Sequence, residues 1–151
     1  MKNLNNYIFE KLNVKDIRNQ YKYFPKTKEE LRQILEKRLK EDKNADLNDI
    51  DVSQITNMAS LFAGLDPHNI DISEWDVSNV TNMSNMFVYC KNFNSDLSNW
   101  NVSKCTYMSY MFDSCKYFNC DLNNWDVSNV INMKDMFFRC TSLKNKPSWY
   151  K

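Results

Sequence analysis

The sequence predicts an α/β solenoid, in which short helices and short parallel strands wind into coils of 25 residues closed at one end by a helical cap. Three observations carry that prediction. First, Trp75, Trp100 and Trp125 recur every 25 residues, as do Val52, Val77, Val102 and Val127, and Phe62, Phe87, Phe112 and Phe137. Second, residues 72–96 and 97–121 share 14 identities in 25 positions. Third, each unit holds two different periodicities. Met83, Met86, Phe87 and Cys90 fall at i, i+3, i+4 and i+7, one face of a short helix, with Thr81 or Asn82 as its N-cap. The segment FNSDLSNW at 93–100 is polar around a single Leu and is read as a strand of about three or four residues centred on Leu97.

Four copies follow from the period: 47–71, 72–96, 97–121 and 122–146. No single unit can bury its own Met, Phe and Trp, so stacking creates the core. The first copy is degenerate, with Ile50 at the Trp position and Leu65 at the Cys position. Residues 1–46 do not repeat and are assigned to an N-terminal helical cap. Within them Thr27-Lys28-Glu29-Glu30 matches a capping box after Pro25, and Leu31, Ile34, Leu35 and Leu39 form the apolar stripe of a helix to about Lys40. Tyr7, Ile8, Phe9, Tyr21, Tyr23 and Phe24 are expected to add apolar surface to that lid. Residues 147–151 form a C-terminal cap, with Trp149 and Tyr150 folding over the last coil.

Composition narrows the function. The chain has 151 residues, 20 basic and 19 acidic, for a net charge of +1. That balance leaves no electrostatic footprint for nucleic acid or an anionic membrane. No apolar run approaches the roughly 20 residues of a spanning helix, so no membrane insertion is expected. The first residues lack the apolar core of a secretory leader, which on sequence alone suggests the cytoplasm. With one glycine, Gly64, the turns must be made by Asn, Asp and Ser.

The unit from Trp75 to Cys90, W-D-V-S-N-V-T-N-M-x-x-M-F-x-x-C, resembles the 25-residue PARCEL repeat of the BspA-like leucine-rich-repeat surface proteins, the mycoplasma-type domain of unknown function. The stretch from Phe24 to Phe62 resembles the opening of that family's members. The resemblance covers about residues 24–146 and implies a leucine-rich-repeat-like, right-handed coil. It also implies a bacterial surface or secreted setting and a role in adhesion or protein binding.

Candidate chemistry is thin. The lone histidine, His68, takes the position of Phe93 and Phe118 and reads as a packed or rim residue. Cys90, Cys105, Cys115 and Cys140 fall on apolar positions and read as buried thiols; Cys120 is expected to be the accessible one. No paired CxxC exists for zinc. Asp51, Asp76 and Asp126 form one acidic row, with Asn101 in register, and are read as turn builders. Without Gly-rich turns a calcium-binding roll is not expected. No cofactor, no metal and no catalytic activity are expected. The predicted function is a non-catalytic module binding a protein or glycan through the outward residues of the strand face: Asp71, Ser73, Asp96, Ser98, Asp121 and Asn123. The alternative is an architectural spacer or a weakly self-associating unit.

Overall fold

The computed structural model describes residues 20–151. Tyr7, Ile8 and Phe9, expected to support the cap, lie outside the described residues. The helix begun at Thr27 is present as α1, Lys28–Glu41. Thr27 Oγ1 accepts from the Glu30 N–H at 3.2 Å, and Glu30 reaches back to the Lys26 N–H at 2.7 Å. Leu31, Leu35 and Leu39 are buried against the stack.

The α/β solenoid is not what forms. Among the described residues α1 is the only helix and no sheet is present. The 25-residue units do stack, but as coils of turns. The helix expected over 83–90 is replaced by turns in which Asn85 and Tyr89 take φ of 58° and 61°. Tyr110 and Ser114 repeat this, as do Asp135 and Arg139. A left-handed residue every fourth position prevents an i→i−4 ladder. The side chains at Met83, Met86, Phe87 and Cys90 are nevertheless all buried. The burial pattern is helical, the backbone is not.

The reason lies in where the amides go. Alternate N–H groups leave the coil and donate to the next one. Met83 donates to Tyr107 O (2.8 Å), Asn85 to Ser109 O (2.9 Å), Phe87 to Met111 O (2.9 Å) and Tyr89 to Asp113 O (2.8 Å). The amides of Met86, Val88 and Cys90 close short i→i−3 turns on Met83 O, Asn85 O and Phe87 O. An eight-residue helix is costly to nucleate, whereas neighbouring coils already offer acceptors.

The strand centred on Leu97 is absent for a related reason. Asp96 Oδ1 takes the Ser98 N–H at 2.9 Å, so the backbone folds into a side-chain-closed turn. Parallel pairing survives only as isolated bridges: Asp46 to Asp71 in the expected register at the start of the stack, and elsewhere Asn57 to Asn82, Asn82 to Tyr107, and Tyr107 to Asn132. Thr81, expected as a helix cap, instead donates its N–H and hydroxyl to Thr56 O.

Aromatic columns run through the stack. Phe62, Phe87, Phe112 and Phe137 lie ring on ring at 5.0, 5.6 and 5.7 Å. Trp75 and Trp100 stack at 6.4 Å, and Trp125 and Trp149 at 6.5 Å. Side-chain donors tie each coil to the one before. Trp75, Trp100 and Trp125 donate Nε1–H to Leu47 O, Ile72 O and Leu97 O. The thiols of Cys115 and Cys140 donate to Phe87 O and Phe112 O at 3.0 and 2.9 Å. The degenerate first copy differs here: no 25-residue coil precedes it, and Ile50 and Leu65, at the Trp and Cys positions, are not donors.

α1 closes that first coil. Arg32 donates to Leu61 O (2.7 Å), Ser60 O (3.3 Å) and Ala63 O (2.9 Å), and Lys28 to Ala59 O (3.4 Å). Arg38 donates to Asp46 O at 2.7 Å. In later coils the matching carbonyls of Ser84, Met86, Asp113 and Asp71 accept backbone amides from the coil before. Three side chains of α1 thus replace a missing coil. At the other end Trp149 continues the Trp column, one residue short of the period, and Tyr150 meets Phe137 edge-on at 5.1 Å.

Candidate functional site

The six residues of the expected binding row lie on consecutive coils. Asp71 Oδ1 accepts from Ser73 N–H (3.0 Å) and Oγ–H (2.7 Å). Asp96 does the same with Ser98 at 2.9 and 2.6 Å, and Asp121 with Asn123 N–H and Nδ2–H at 2.9 and 2.8 Å. All three carboxylates are exposed. Asp96, Ser98 and Asp121 share a shallow concavity of about 350 Å³ with Asn94, Ser95, Asn119 and Cys120; Asp121 and Asn123 border a second one.

Hydrogen bonding favours the ionised form at two members of this row. Bonds from Asn48 and then Ser73 hold the Asp71 carboxyl below its ordinary range. Those from the Ser98 hydroxyl and N–H do so for Asp96, with Cys120 adding a weaker contribution and Asp71 opposing as a like charge. Asp71 and Asp96 are therefore anionic at neutral pH. One oxygen of each carboxylate is committed to its own turn.

The second acidic row uses the same chemistry. Asp51, Asp76, Asn101 and Asp126 each accept the N–H two residues on, at 3.0–3.1 Å. Asn101 shows that an amide oxygen bends the coil as well as a carboxylate does. A third set, Asn57, Asn82 and Asn132, closes on Ala59, Ser84 and Lys134. The sequence separated the two acidic rows into turn builders and a candidate site, whereas both build turns.

The cysteines are free thiols, with Cys120 half-buried and the other four buried. Burial pushes Cys90 and Cys140 up to about 12, and Cys115 higher. His68 is half-buried, with Nε2 3.6 Å from Asp66 Oδ2. No cluster of three or more His, Cys, Asp or Glu is placed to hold a metal ion among the described residues.

The other place where the sequence directs a search for a site is the set of positions at which the copies differ, and there the structure has a second surface. A groove of about 440 Å³ is lined by Tyr89, Lys91, Ser114, Lys116, Arg139 and Thr141. Its signal was available in the positions where the copies differ, Val88-Tyr89 against Asp113-Ser114 and Phe138-Arg139. A family profile described as Mycoplasma protein of unknown function, DUF285, matches residues 29–150. No curated protein and no solved structure matches.

Proposed function

The chain belongs to this mycoplasma-protein family of unknown function, and we propose that it works as a non-catalytic binding module. It engages a protein, or a glycan, through the row Asp71, Ser73, Asp96, Ser98, Asp121 and Asn123. The observation that supports this reading is the register of the row: three exposed carboxylates at one-coil spacing, about 4.8 Å apart along the stack, with Asp71 and Asp96 held in the ionised form by hydrogen bonds. The likeness of the unit to the BspA-like surface-protein repeat adds adhesion at the cell surface to the proposal. The leucine-rich-repeat fold does not come with it.

The test must spare the turns. Ala would remove the oxygen that bends the backbone, but Asn keeps it, as Asn101 does naturally. In affinity capture from a mycoplasma lysate, the D71N/D96N/D121N variant loses the partners held by the wild type while remaining folded at the capture temperature, as read from its tryptophan fluorescence. Equal capture by the two proteins refutes the assignment of the row.

A self-associating structural unit is the second reading, supported by the last coil. Ile131 is 73% exposed, and Val127, Val130 and Met133 are more open than their buried counterparts in earlier coils. Light scattering over a concentration series decides it: Ile131→Lys abolishes any mass increase if this surface self-associates.

A further inference from the structure

We propose that the groove along Tyr89, Lys91, Ser114, Lys116, Arg139 and Thr141 docks a short acidic segment of a partner protein. It shares no lining residue with the acidic row, so this inference stands apart from the function proposed above.

Charge complementarity is the first argument. Lys91, Lys116 and Arg139 bring three cations to one opening, and none has a carboxylate within ion-pair distance among the described residues. The acid nearest in sequence, Asp113, is buried and takes its hydrogen bond from Ser114 Oγ at 2.8 Å. Two of the cations rest on aromatic faces: Lys116 Nζ lies 5.1 Å above Tyr117, and Arg139 4.9 Å above Phe138. Such stacking reduces the rotamer freedom lost on binding.

The second argument is Tyr89. It is 68% exposed, yet it occupies a left-handed position at φ 61°. A bulky side chain is uncommon there, and the coil does not need one, since Ser114 holds the equivalent place at φ 62°. Tyr89 presents an aromatic face to solvent beside the three cations. Tyr and Arg are the residues enriched at the energetic centres of protein interfaces.

Size and backbone chemistry select the partner. The groove crosses three coils, about 10–15 Å at strand-like spacing, or roughly four residues of extended chain. The amides of Tyr89, Ser114, Tyr117 and Ser142 are consumed by neighbouring coils. Recognition therefore runs through side chains, with Arg139 bidentate on a carboxylate and the Tyr89 ring and lysine stems on intervening apolar groups. Three cations are too few for a nucleic-acid site, which typically neutralises about 6–10 phosphates.

The test is fluorescence anisotropy with a short labelled peptide alternating glutamate and leucine. The wild type binds it and ignores the lysine–leucine counterpart. K91E/K116E and Tyr89→Ser each weaken binding by about tenfold or more, with unchanged melting, and D96N leaves it unaltered. Should the charge reversal lower the melting temperature, K91Q/K116Q replaces it and shows the same direction of loss. No binding of the acidic peptide overturns the proposal, as does equal binding by the double variant. Tighter binding of a heparin oligosaccharide or poly-uridylate than of the peptide overturns it too. Either result leaves the D71N/D96N/D121N test of the acidic row intact.

Discussion

Arg32→Ala should uncouple the cap from the stack. The guanidinium makes hydrogen bonds to three carbonyls of the first coil at 2.7–3.3 Å, plus a pair with Glu36 at 2.9 Å. Bonds from a charged donor contribute about 1.5–3 kcal/mol each when the acceptor is left buried. Here the Arg32 side chain is 30% exposed, so water reaches part of the vacated site, and the expected loss is about 2–4 kcal/mol. The Glu36 pair is an exposed i,i+4 contact worth about 0.3–0.5 kcal/mol, and Glu36→Gln isolates it. Arg32→Lys retains a charge without the fork and should lose about half of the full effect. Urea unfolding followed by tryptophan fluorescence gives the midpoint and slope. Amide exchange gives location: Ser60 and Phe62, which donate to Ser84 O and Met86 O, should exchange faster, while Phe112 does not. A variant within about 0.5 kcal/mol of wild type, or Arg32→Lys equal to it, refutes the idea that this side chain replaces a coil.

Other expectations follow from the same geometry. Trp100→Ala should cost about 3–5 kcal/mol for a buried Trp. Trp100→Phe should cost only about 1–2, because Ile72 O keeps the Trp75 N–H after losing the indole; equal losses in urea melts would make the indole bond outweigh ring packing and refute this ranking. Hydrogen bonds hold Asp71, Asp96 and Asp126 below their ordinary range. Their stabilisation is therefore present above about pH 4 and lost as pH falls through the folded-state values; D71N/D96N/D126N should flatten the acid limb, and an unchanged limb counts against it. The thiols behave oppositely. Cys90 and Cys140 rise to about 12, so stability is complete below about pH 8.5 and declines above it. The slope is up to about 1.4 kcal/mol per pH unit for each buried thiol, read from urea midpoints at rising pH. Under native conditions a thiol reagent should modify Cys120 first; simultaneous labelling of all five would show the burial to be wrong.

Much of the molecule was legible from its sequence. The period located each buried Trp, Val, Met and Phe, because burial depends on which residues recur. The secondary structure was misread because the spacing of Met83, Met86, Phe87 and Cys90 is shared by two backbones. A helix and a string of left-handed turns both turn those side chains inward. Only the destination of the amides separates them, and that depends on a neighbouring coil which no local window contains. The strand at Leu97 failed because Asp96 and Ser98 were read as outward decoration, although their oxygens fold the backbone. The cysteines were placed correctly as buried, but their S–H bonds to the preceding coil require atomic distances. The divergent positions Tyr89, Ser114 and Arg139 were legible as a place to seek a site, but the groove itself was not, because its three cations come from different copies and meet only across the stack.

The backward direction of the Trp and Cys donors has an evolutionary consequence. A 25-residue segment duplicated after the first coil finds carbonyls waiting below it and offers the same carbonyls above. Both of its seams match those already present. Unequal recombination among such near-identical segments should therefore yield paralogues of varying reach that fold without compensating change. Duplication of the segment bearing Ile50 and Leu65 would instead place two non-donors in the interior. Copy-number variation in this lineage should accordingly be concentrated downstream of α1 and its adjoining coil.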